Sequence, residues 1–500
     1  MKFFSGLLLT GAWLALSASL LAQSNALAEK SHRAKELMAA GKFEEAVPIY
    51  RELVRDVPNN PGLMTNLGLA LDLAGKKGEA VREYLAVLKL APAYYPALVL
   101  LGTAYVEIGE PTKAIDPLEK SLKIQPESFD AQMPLAEALL AIGRLGEAAR
   151  RFQALARSDP GNAKAWYGLG VSCEGLAQQN FDELSKVAPG SAYWLDLVAE
   201  SRLETKQDYA AFYFYRQALA KMPSMRGVHA AIADVYKDTG HPDWASVEEE
   251  KERQLPPPDC GVEKIECEFQ AGNFINLIEA TEGTKDPEAY YWRTRAFNKL
   301  ALDAYSRLGQ LPPSAETYEL RARIESKRRQ YAESAKDWRE ALKLTPGNRS
   351  IQKQLAIALY QSSDLQGAQA LFEDLLKQEP DATDLNYFLG DTVLHSQKPQ
   401  DAIPYLEKAI QKNPQFLPAQ RSLGLAYLQM AQAEKAIPHL KQALSIDEDG
   451  SLHYQLGRAY QAHGEKELAR AMLKQYQEMH GVQQGENKTV EKEVAITPPE

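Results

Sequence analysis

The stretch that decides the fold is "LGLALDLAGKKGEAVREYLAVLKLAP", Leu67 to Pro92. Shifting along the chain in steps of 34 residues brings back the same residue types in the same order. The first copy carries Leu67, Gly68, Leu71, Gly75, Ala80, Tyr84 and Pro92. Later copies carry Leu101, Gly102, Tyr105, Gly109, Ala114, Leu118 and Pro126, then Leu135, Ala136, Leu139, Gly143, Ala148, Phe152 and Pro160, and near the end Leu423, Gly424, Tyr427, Ala436, Leu440 and Ala443.

Each copy reads as two amphipathic helices joined by a turn. The apolar stripes recur at helical spacing but are too narrow to form a core alone, so neighbouring copies must stack. If Leu67 is counted as seventh in its unit, small residues fall at the eighth and twentieth positions, where two helix axes can approach closely. A glycine such as Gly75 falls at the turn. The pattern therefore predicts helix pairs stacked in an array.

Prolines also recur in the second helix, as in "DAIPYLEKAIQKNP", Asp401 to Pro414. We expect Pro404, Pro117 and Pro438 to lie at about the first turn. Most N–H groups there have no partner within the helix, so proline costs little.

This repeat resembles the tetratricopeptide repeat, a helix–turn–helix unit of 34 residues, and the resemblance covers most of the chain. The resemblance implies an all-α fold, a right-handed α-solenoid or superhelix of stacked units. It also implies a concave groove lined by the first helices, and a role as a scaffold that holds a segment of a partner protein there.

The repeat register divides the chain into six segments. We predict a signal peptide over 1–28, an N-terminal repeat block over 29–187, two further units over 188–258, an irregular helical section over 259–314, a C-terminal repeat block over 315–480 and a disordered tail over 481–500.

The N-terminus has the pattern of an export signal. Lys2 precedes an uncharged apolar run, Gly6 to Ala22, and "ALA" at Ala26 to Ala28 offers a cleavage site before Glu29. We expect cleavage after Ala28, a periplasmic or secreted location, and no stable membrane insertion of the mature chain. An uncleaved membrane anchor is the alternative, because a run of this length could span a bilayer.

Composition and motifs bear on the class of function. The net charge of −10 argues against nucleic-acid binding, which needs a basic face. No metalloprotease, nucleophile-elbow, phosphate-loop or Cys-x-x-Cys motif is present, so we predict no enzymatic activity, no cofactor and no metal. An enzyme within the irregular section is a remote alternative.

The cysteines permit one structural prediction. Cys260 and Cys267 are seven residues apart, which within one helix would separate their Cα atoms by about 10 Å, too far for a disulfide. A bridge therefore requires Cys260 to lie in the loop before the helix. Export makes the bridge plausible, and two partly buried thiols are the alternative. Cys173 falls at a core position and should act as a small hydrophobe.

The candidate binding residues lie on first helices of the C-terminal block. The fifth positions of successive first helices hold Tyr387, Arg421 and Tyr454, and the ninth positions hold Asp391, Leu425 and Arg458. These positions lie off the buried stripe, so we expect exposed, adjacent ladders along the groove. Tyr and Arg are favoured at interface hot spots. A solvated helix face is the plain alternative, and the N-terminal block near Val99, Thr103 and Tyr167 is another possible site.

The function predicted from the sequence is therefore that of a non-catalytic scaffold or adaptor for protein or peptide segments in the cell envelope. The alternative is an accessory subunit that delivers substrate to an envelope enzyme or to a polysaccharide or protein export machine. The residues alone do not choose between them.

Overall fold

The computed structural model describes residues 25–493 and 495–499. Over these residues the chain is helical, with no β-strand. It divides into two compact units, the first made of the described residues up to Leu176 with Leu300–Ala304, and the second of Ala177–Lys299 with the described residues from Tyr305. The apolar run Gly6 to Ala22 of the expected signal peptide lies outside the described residues.

The helices of the first unit begin with α1, residues 25–39. They continue with α2 (Phe43–Asp56), α3 (Pro61–Leu73), α4 (Lys77–Leu90), α5 (Tyr95–Glu107), α6 (Pro111–Ile124), α7 (Phe129–Ala141) and α8 (Leu145–Ser158). Helix α1 contains the expected cleavage site, and Leu27 packs against the core of the first repeats. Cleavage itself stays a prediction.

The remaining helices follow in chain order. They are α9 (Ala163–Val187), which runs from the first unit into the second, α10 (Ala192–Glu204), α11 (Asp208–Lys221), α12 (Val228–Asp238), α13 (Pro242–Gln254), α14 (Lys264–Gln270), α15 (Phe274–Ala280), α16 (Pro287–Gly309), α17 (Ala315–Lys327), α18 (Tyr331–Leu344), α19 (Arg349–Gln361), α20 (Leu365–Gln378), α21 (Thr383–His395), α22 (Pro399–Lys412), α23 (Leu417–Gln429), α24 (Ala433–Ala443) with a 3-10 turn (Leu444–Ile446), α25 (Ser451–His463) and α26 (Lys466–Glu493). This succession of packed helix pairs is the predicted all-α solenoid.

Each repeat is held together where its two helices touch at the eighth position. At Gly390 on α21 an added Cβ would lie 2.7 Å from Cγ of Leu406 on α22. At Gly424 the corresponding distance to Leu440 Cγ is also 2.7 Å. The large side chain of the second helix thus occupies the volume that a Cβ would need, and both leucines are fully buried.

The turn inside each helix pair has one backbone conformation throughout the described residues. A residue of positive φ follows the first helix in every pair, a glycine in most of them and otherwise Lys206, Arg329, Ser363, Gln397 or Ala431. At Gly75 the next residue, Lys76, donates its N–H to the Leu71 carbonyl at 2.8 Å. This left-handed cap satisfies carbonyls that the end of the helix leaves free.

The prolines do not lie where the sequence predicted. Pro404 is the sixth residue of α22, Pro438 the sixth of α24 and Pro117 the seventh of α6. The prediction of a first-turn position is therefore wrong by about one turn. Each proline lacks the N–H that would have bonded to a carbonyl in the first turn, so each costs one helical hydrogen bond.

The middle section is more regular than predicted. Helices α14 and α15 have seven residues each, and they are joined by Gly272 at φ 75°. The N–H of Asn273 donates to the Glu268 carbonyl at 2.9 Å, as in the turns of the full repeats. Residues 264–280 therefore form a shortened helix pair with the same turn.

Cysteine placement follows from this short pair. Cys260 lies in the turn before α14 and Cys267 within α14, and the two are joined by a disulfide with their Cα atoms 5.7 Å apart. Cys173 is buried on α9, and burial raises the pKa of its thiol to about 12.

A buried polar network attaches the long helix α16 to α10. Tyr291 donates its hydroxyl to Asp196 Oδ2 at 2.7 Å. Arg295 donates to the Tyr291 hydroxyl at 2.6 Å and pairs with Glu200 at 2.9 Å. Burial, and next the nearby Glu200 carboxylate, raise the pKa of Asp196 to about 7, although Arg295 opposes the rise.

Helix α26 and the residues after it cover most of the range 481–500 that the sequence predicted to be disordered. Helix α26 extends to Glu493, and residues 495–499 pack against α11 and α12. Residues 481–493 thus have a helical backbone, and residues 495–499 have partners on α11 and α12.

None of the described helices is both long enough and apolar enough to cross a bilayer.

We predict that Gly390→Ala destabilises the C-terminal repeats by about 1–3 kcal/mol, because the new methyl group overlaps Leu406. Amide exchange should rise mainly in the helices adjoining α21, since repeats contact only their neighbours. The matched control is Gly78→Ala on α4, where an added Cβ meets no atom within 4 Å. Equal stability of the two variants would contradict close packing at Gly390.

We also predict that Asp196 makes stability fall as pH rises. Its pKa is higher in the folded chain than in the unfolded chain, so the native state keeps a proton that the unfolded state releases. This stabilisation is complete below about pH 4 and is lost as pH rises through about 7. Urea unfolding of Asp196→Asn should depend less on pH in this window, by on the order of 1–3 kcal/mol. The exposed-carboxyl control Glu250→Gln should follow the native chain, and identical profiles for all three proteins would refute the assignment.

Candidate partner-binding face

The candidate site is the set of side chains at the fifth and ninth positions of α19, α21, α23 and α25, which we call the first-helix face. The fifth positions hold Lys353, Tyr387, Arg421 and Tyr454, and the ninth hold Ile357, Asp391, Leu425 and Arg458. The helices present these positions beside the seventh, eighth and eleventh, which are buried in the core, as Leu389, Gly390 and Val393 are on α21.

Asp391 lies at the centre of a hydrogen-bond chain across three first helices. Its side chain accepts a hydrogen bond from the Tyr360 hydroxyl on α19. Its other oxygen accepts from Ser422 Oγ on α23 at 2.5 Å. Asp391 is only 2% exposed, so the expectation that this residue stands free on the surface is wrong. The Asp391 carboxylate instead joins consecutive repeats, and burial together with this charge raises the pKa of Tyr360 well above its usual value.

Tyr387 and Arg421 form a second link between repeats. The Tyr387 ring lies 5.2 Å from the Phe416 ring, and the Arg421 side chain lies near its hydroxyl. Both residues are half-buried. Burial and then the Asp391 carboxylate raise the pKa of Tyr387 to about 12, so the hydroxyl stays protonated at neutral pH.

The remaining predicted residues differ in exposure. Tyr454 is 40% exposed and its ring lies 5.3 Å from that of Tyr476. Arg458 is exposed, one turn further along α25. Leu425 is half-buried and packs against the core of the C-terminal repeats. The structure therefore brings Tyr387, Arg421 and Asp391 together and leaves Tyr454 and Arg458 with the most surface for a partner.

Sequence reasoning missed the residues that tie this face together. Lys353 pairs with Asp384, Tyr360 with Asp391, and Asp391 with Ser422. Each pair is separated by 31 residues. Because the repeat is 34 residues long, a position on one first helix lies opposite a position three residues earlier on the next. A search for complementary polar residues at that spacing would have found all three pairs.

The alternative binding site in the N-terminal block, near Val99, Thr103 and Tyr167, includes one buried residue. Val99 is 8% exposed, and Thr103 donates its hydroxyl to the Val99 carbonyl at 3.0 Å. Tyr167 is half-buried.

Across the described parts of the chain, no group of three or more His, Cys, Asp or Glu side chains is placed to hold a metal ion.

Comparison with protein families identifies the repeat. Three family models, each described as tetratricopeptide repeat, match residues 33–95, 74–129 and 353–415, residues 109–171 and 393–449, and residues 452–480. The chain belongs to the tetratricopeptide repeat family. Proteins of this family are generally non-catalytic scaffolds. No curated protein matches the sequence.

Several solved structures match parts of this tetratricopeptide repeat chain. MamA from Desulfovibrio magneticus RS-1 is 25% identical over 34% of this chain and 96% of its own, with a TM-score of 0.31. A tetratricopeptide repeat protein from Parabacteroides merdae is 16% identical over 67% and 98%, with a TM-score of 0.33. YrrB, described as having an unusual peptide-binding site, is 20% identical over 33% and 85%, with a TM-score of 0.29.

We predict that Asp391→Ala lowers the free energy of unfolding by roughly 1–3 kcal/mol, because the Tyr360 and Ser422 hydroxyls lose their acceptor inside the fold. Asp391→Asn keeps one acceptor oxygen and should cost less. Asp401→Ala, at an exposed carboxylate on α22, is the control. Urea unfolding and amide exchange over α19 to α23 measure the effect, and a native-like Asp391→Ala protein would contradict a linking role.

Proposed function

We propose that this tetratricopeptide repeat protein is a non-catalytic scaffold that binds protein or peptide segments along the first-helix face of α19 to α25. The proposal rests on the contacts that join side chains of neighbouring repeats along that face. Its half-buried Tyr387 and Arg421 contact each other, and the exposed Tyr454 and Arg458 continue the same positions on α25. Tyr and Arg give large contact area and directional hydrogen bonds at interfaces.

The linkage supports binding because it fixes side chains before a partner arrives. Tyr387 is held by Phe416 and Arg421, and Tyr360 by Asp391. Side chains that are already ordered lose less conformational entropy when a partner binds. The face thus offers a preorganised segment, α21 to α23, next to an accessible one, α25.

Charge on the face suggests the chemistry of the partner. Arg458 is exposed, and Arg421 is half-buried with its side chain directed to Tyr387. The Asp391 carboxylate is enclosed by Tyr360 and Ser422. Because the accessible charges on α23 and α25 at these positions are guanidinium groups, we propose that the bound segment carries carboxylates and apolar side chains.

Export to the periplasm or the exterior is part of the proposal. It is supported by the apolar run and the small residues before Glu29, and by the disulfide between Cys260 and Cys267, since disulfides persist in oxidising compartments.

The experiment is affinity capture from envelope extract, with mass spectrometry of the retained proteins. The native chain is compared with Tyr454→Ala/Arg458→Ala and with the control Glu373→Ala/Lys377→Ala on exposed positions of α20. We expect the native chain and the control to retain the same protein and the first-helix variant to retain at least tenfold less, with little change in melting temperature. The intact mass of the bait should equal that of a chain that begins at Glu29.

Equal retention by the first-helix variant would place binding elsewhere and contradict the proposal. Retention of Met1 in the exported bait would contradict cleavage. If the protein captured through this face is an envelope enzyme or part of an export machine, the scaffold role is that of its accessory subunit.

A further inference from the structure

Residues 495–499, which we call the tail, lie in a groove on the second unit. Arg216 on α11 donates to the Thr497 hydroxyl at 2.7 Å. Tyr236 on α12 donates its hydroxyl to the Thr497 carbonyl oxygen at 2.6 Å. Ile496 packs against the core formed by these helices. The tail is therefore bound through a side chain, a backbone group and an apolar contact at once.

The tail groove is formed by the second helix of one repeat and both helices of the next. Phe212, Arg216 and Leu219 of α11 line one side, and Ile232 and Tyr236 of α12 line the other. A cavity of about 260 Å³ remains beside Pro498 and Pro499 and reaches Glu248 of α13. The groove thus has room for more than the tail now fills.

The chemistry of the groove suits an extended proline-containing segment. Prolines offer no N–H, and the hydrogen bonds from Arg216 and Tyr236 described above run to oxygens of Thr497. The Tyr236 ring packs edge-on against Trp244 at 5.6 Å and, tilted, against Phe212 at 5.4 Å. Aromatic-lined grooves recognise such segments because prolines pre-order the extended backbone and reduce the entropy lost on binding.

A buried carboxylate with its own partners lies beside the groove. Glu248, which is 4% exposed, accepts a hydrogen bond from Lys251 at 2.8 Å and contacts His229 at 2.5 Å. Burial and then the Glu248 charge raise the pKa of Tyr236 to about 12, so its hydroxyl remains a donor at neutral pH.

We propose that the tail groove is a peptide-recognition site for extended Ile-Thr-Pro-Pro segments, and that the chain's own tail occupies it as an intramolecular ligand. A partner segment of the same chemistry must displace the tail in order to bind. This site uses α11 to α13 rather than the first-helix face of α19 to α25, so the inference does not rest on the proposed function.

The test measures binding of a separate peptide that has the tail sequence. In the full-length chain the tail is replaced by Ile496→Ser, Thr497→Gly, Pro498→Ser and Pro499→Gly. A fluorescein-labelled peptide with the sequence of residues 491–499 is then titrated into the native and substituted chains, and anisotropy is recorded. We expect the substituted chain to bind the peptide at least tenfold more tightly, because a tethered segment competes at an effective concentration near millimolar.

Matched variants in the substituted chain locate the binding site. Tyr236→Phe removes the donor to the Thr497 carbonyl while keeping the buried ring, and it should weaken peptide binding about 3- to 10-fold. Tyr209→Phe, at a 59% exposed tyrosine on α11, should leave binding unchanged. A peptide in which valine replaces threonine at the position of Thr497 should also bind more weakly, since it lacks the hydroxyl that accepts a hydrogen bond from Arg216.

Three results would overturn the proposal. The substituted chain could keep native helicity yet bind no peptide, which would make the tail a structural strap only. Native and substituted chains could bind equally and without sensitivity to Tyr236→Phe, which would place the peptide elsewhere. The native chain could be a dimer that the tail substitutions convert to a monomer, which would show that the tail occupies the groove of a second copy.

Discussion

The close approach of two helices at the eighth position of each repeat is the contact on which the described architecture depends. At Gly390 and Gly424 the missing side chain leaves space that Leu406 and Leu440 fill. Because neither helix can bury its apolar stripe alone, the stability of the pair depends on this contact and on stacking against the next pair. The left-handed turn residue sets the connection between the two helices, and it recurs in the shortened pair α14 and α15, where the helices are about half as long.

Stacking of this kind places equivalent positions of successive first helices side by side. Hydrogen bonds between polar side chains at these positions then connect neighbouring repeats. Asp391 receives hydrogen bonds from the repeats on both sides, and Tyr387 contacts Arg421 of the next repeat. These contacts lie beside the apolar core, where a hydrogen bond left unmade is costly. The same residues therefore stabilise the array and shape the surface proposed to meet a partner, so stability and binding are coupled on this face.

The middle of the chain uses a different arrangement. Long helix α16 is attached to α10 because Tyr291 bonds to Asp196, and Arg295 contacts both the Tyr291 hydroxyl and the Glu200 carboxylate. Close by in sequence, α11 and α12 hold residues 495–499 between them. The repeats of the second unit thus present two surfaces with different chemistry. One is a face of aromatic and guanidinium groups along first helices, and the other is an aromatic-lined groove that takes an extended backbone.

The sequence by itself determined the repeat, the helix pairs and the register, because a Leu, Gly, Ala and Pro pattern at 34-residue spacing satisfies only stacked helix pairs. It also located the first-helix positions that lie together. Only the tertiary structure decided which of those side chains are accessible. Burial of Asp391 depends on Tyr360 and Ser422, each 31 residues away. Likewise, composition predicted disorder for a polar tail, but residues 495–499 find partners in Arg216 and Tyr236, more than 250 residues earlier. The local sequence contains the periodicity of the helices and the residues of the turns. The exposure of each side chain and the long-range hydrogen bonds exist only once distant segments are packed together.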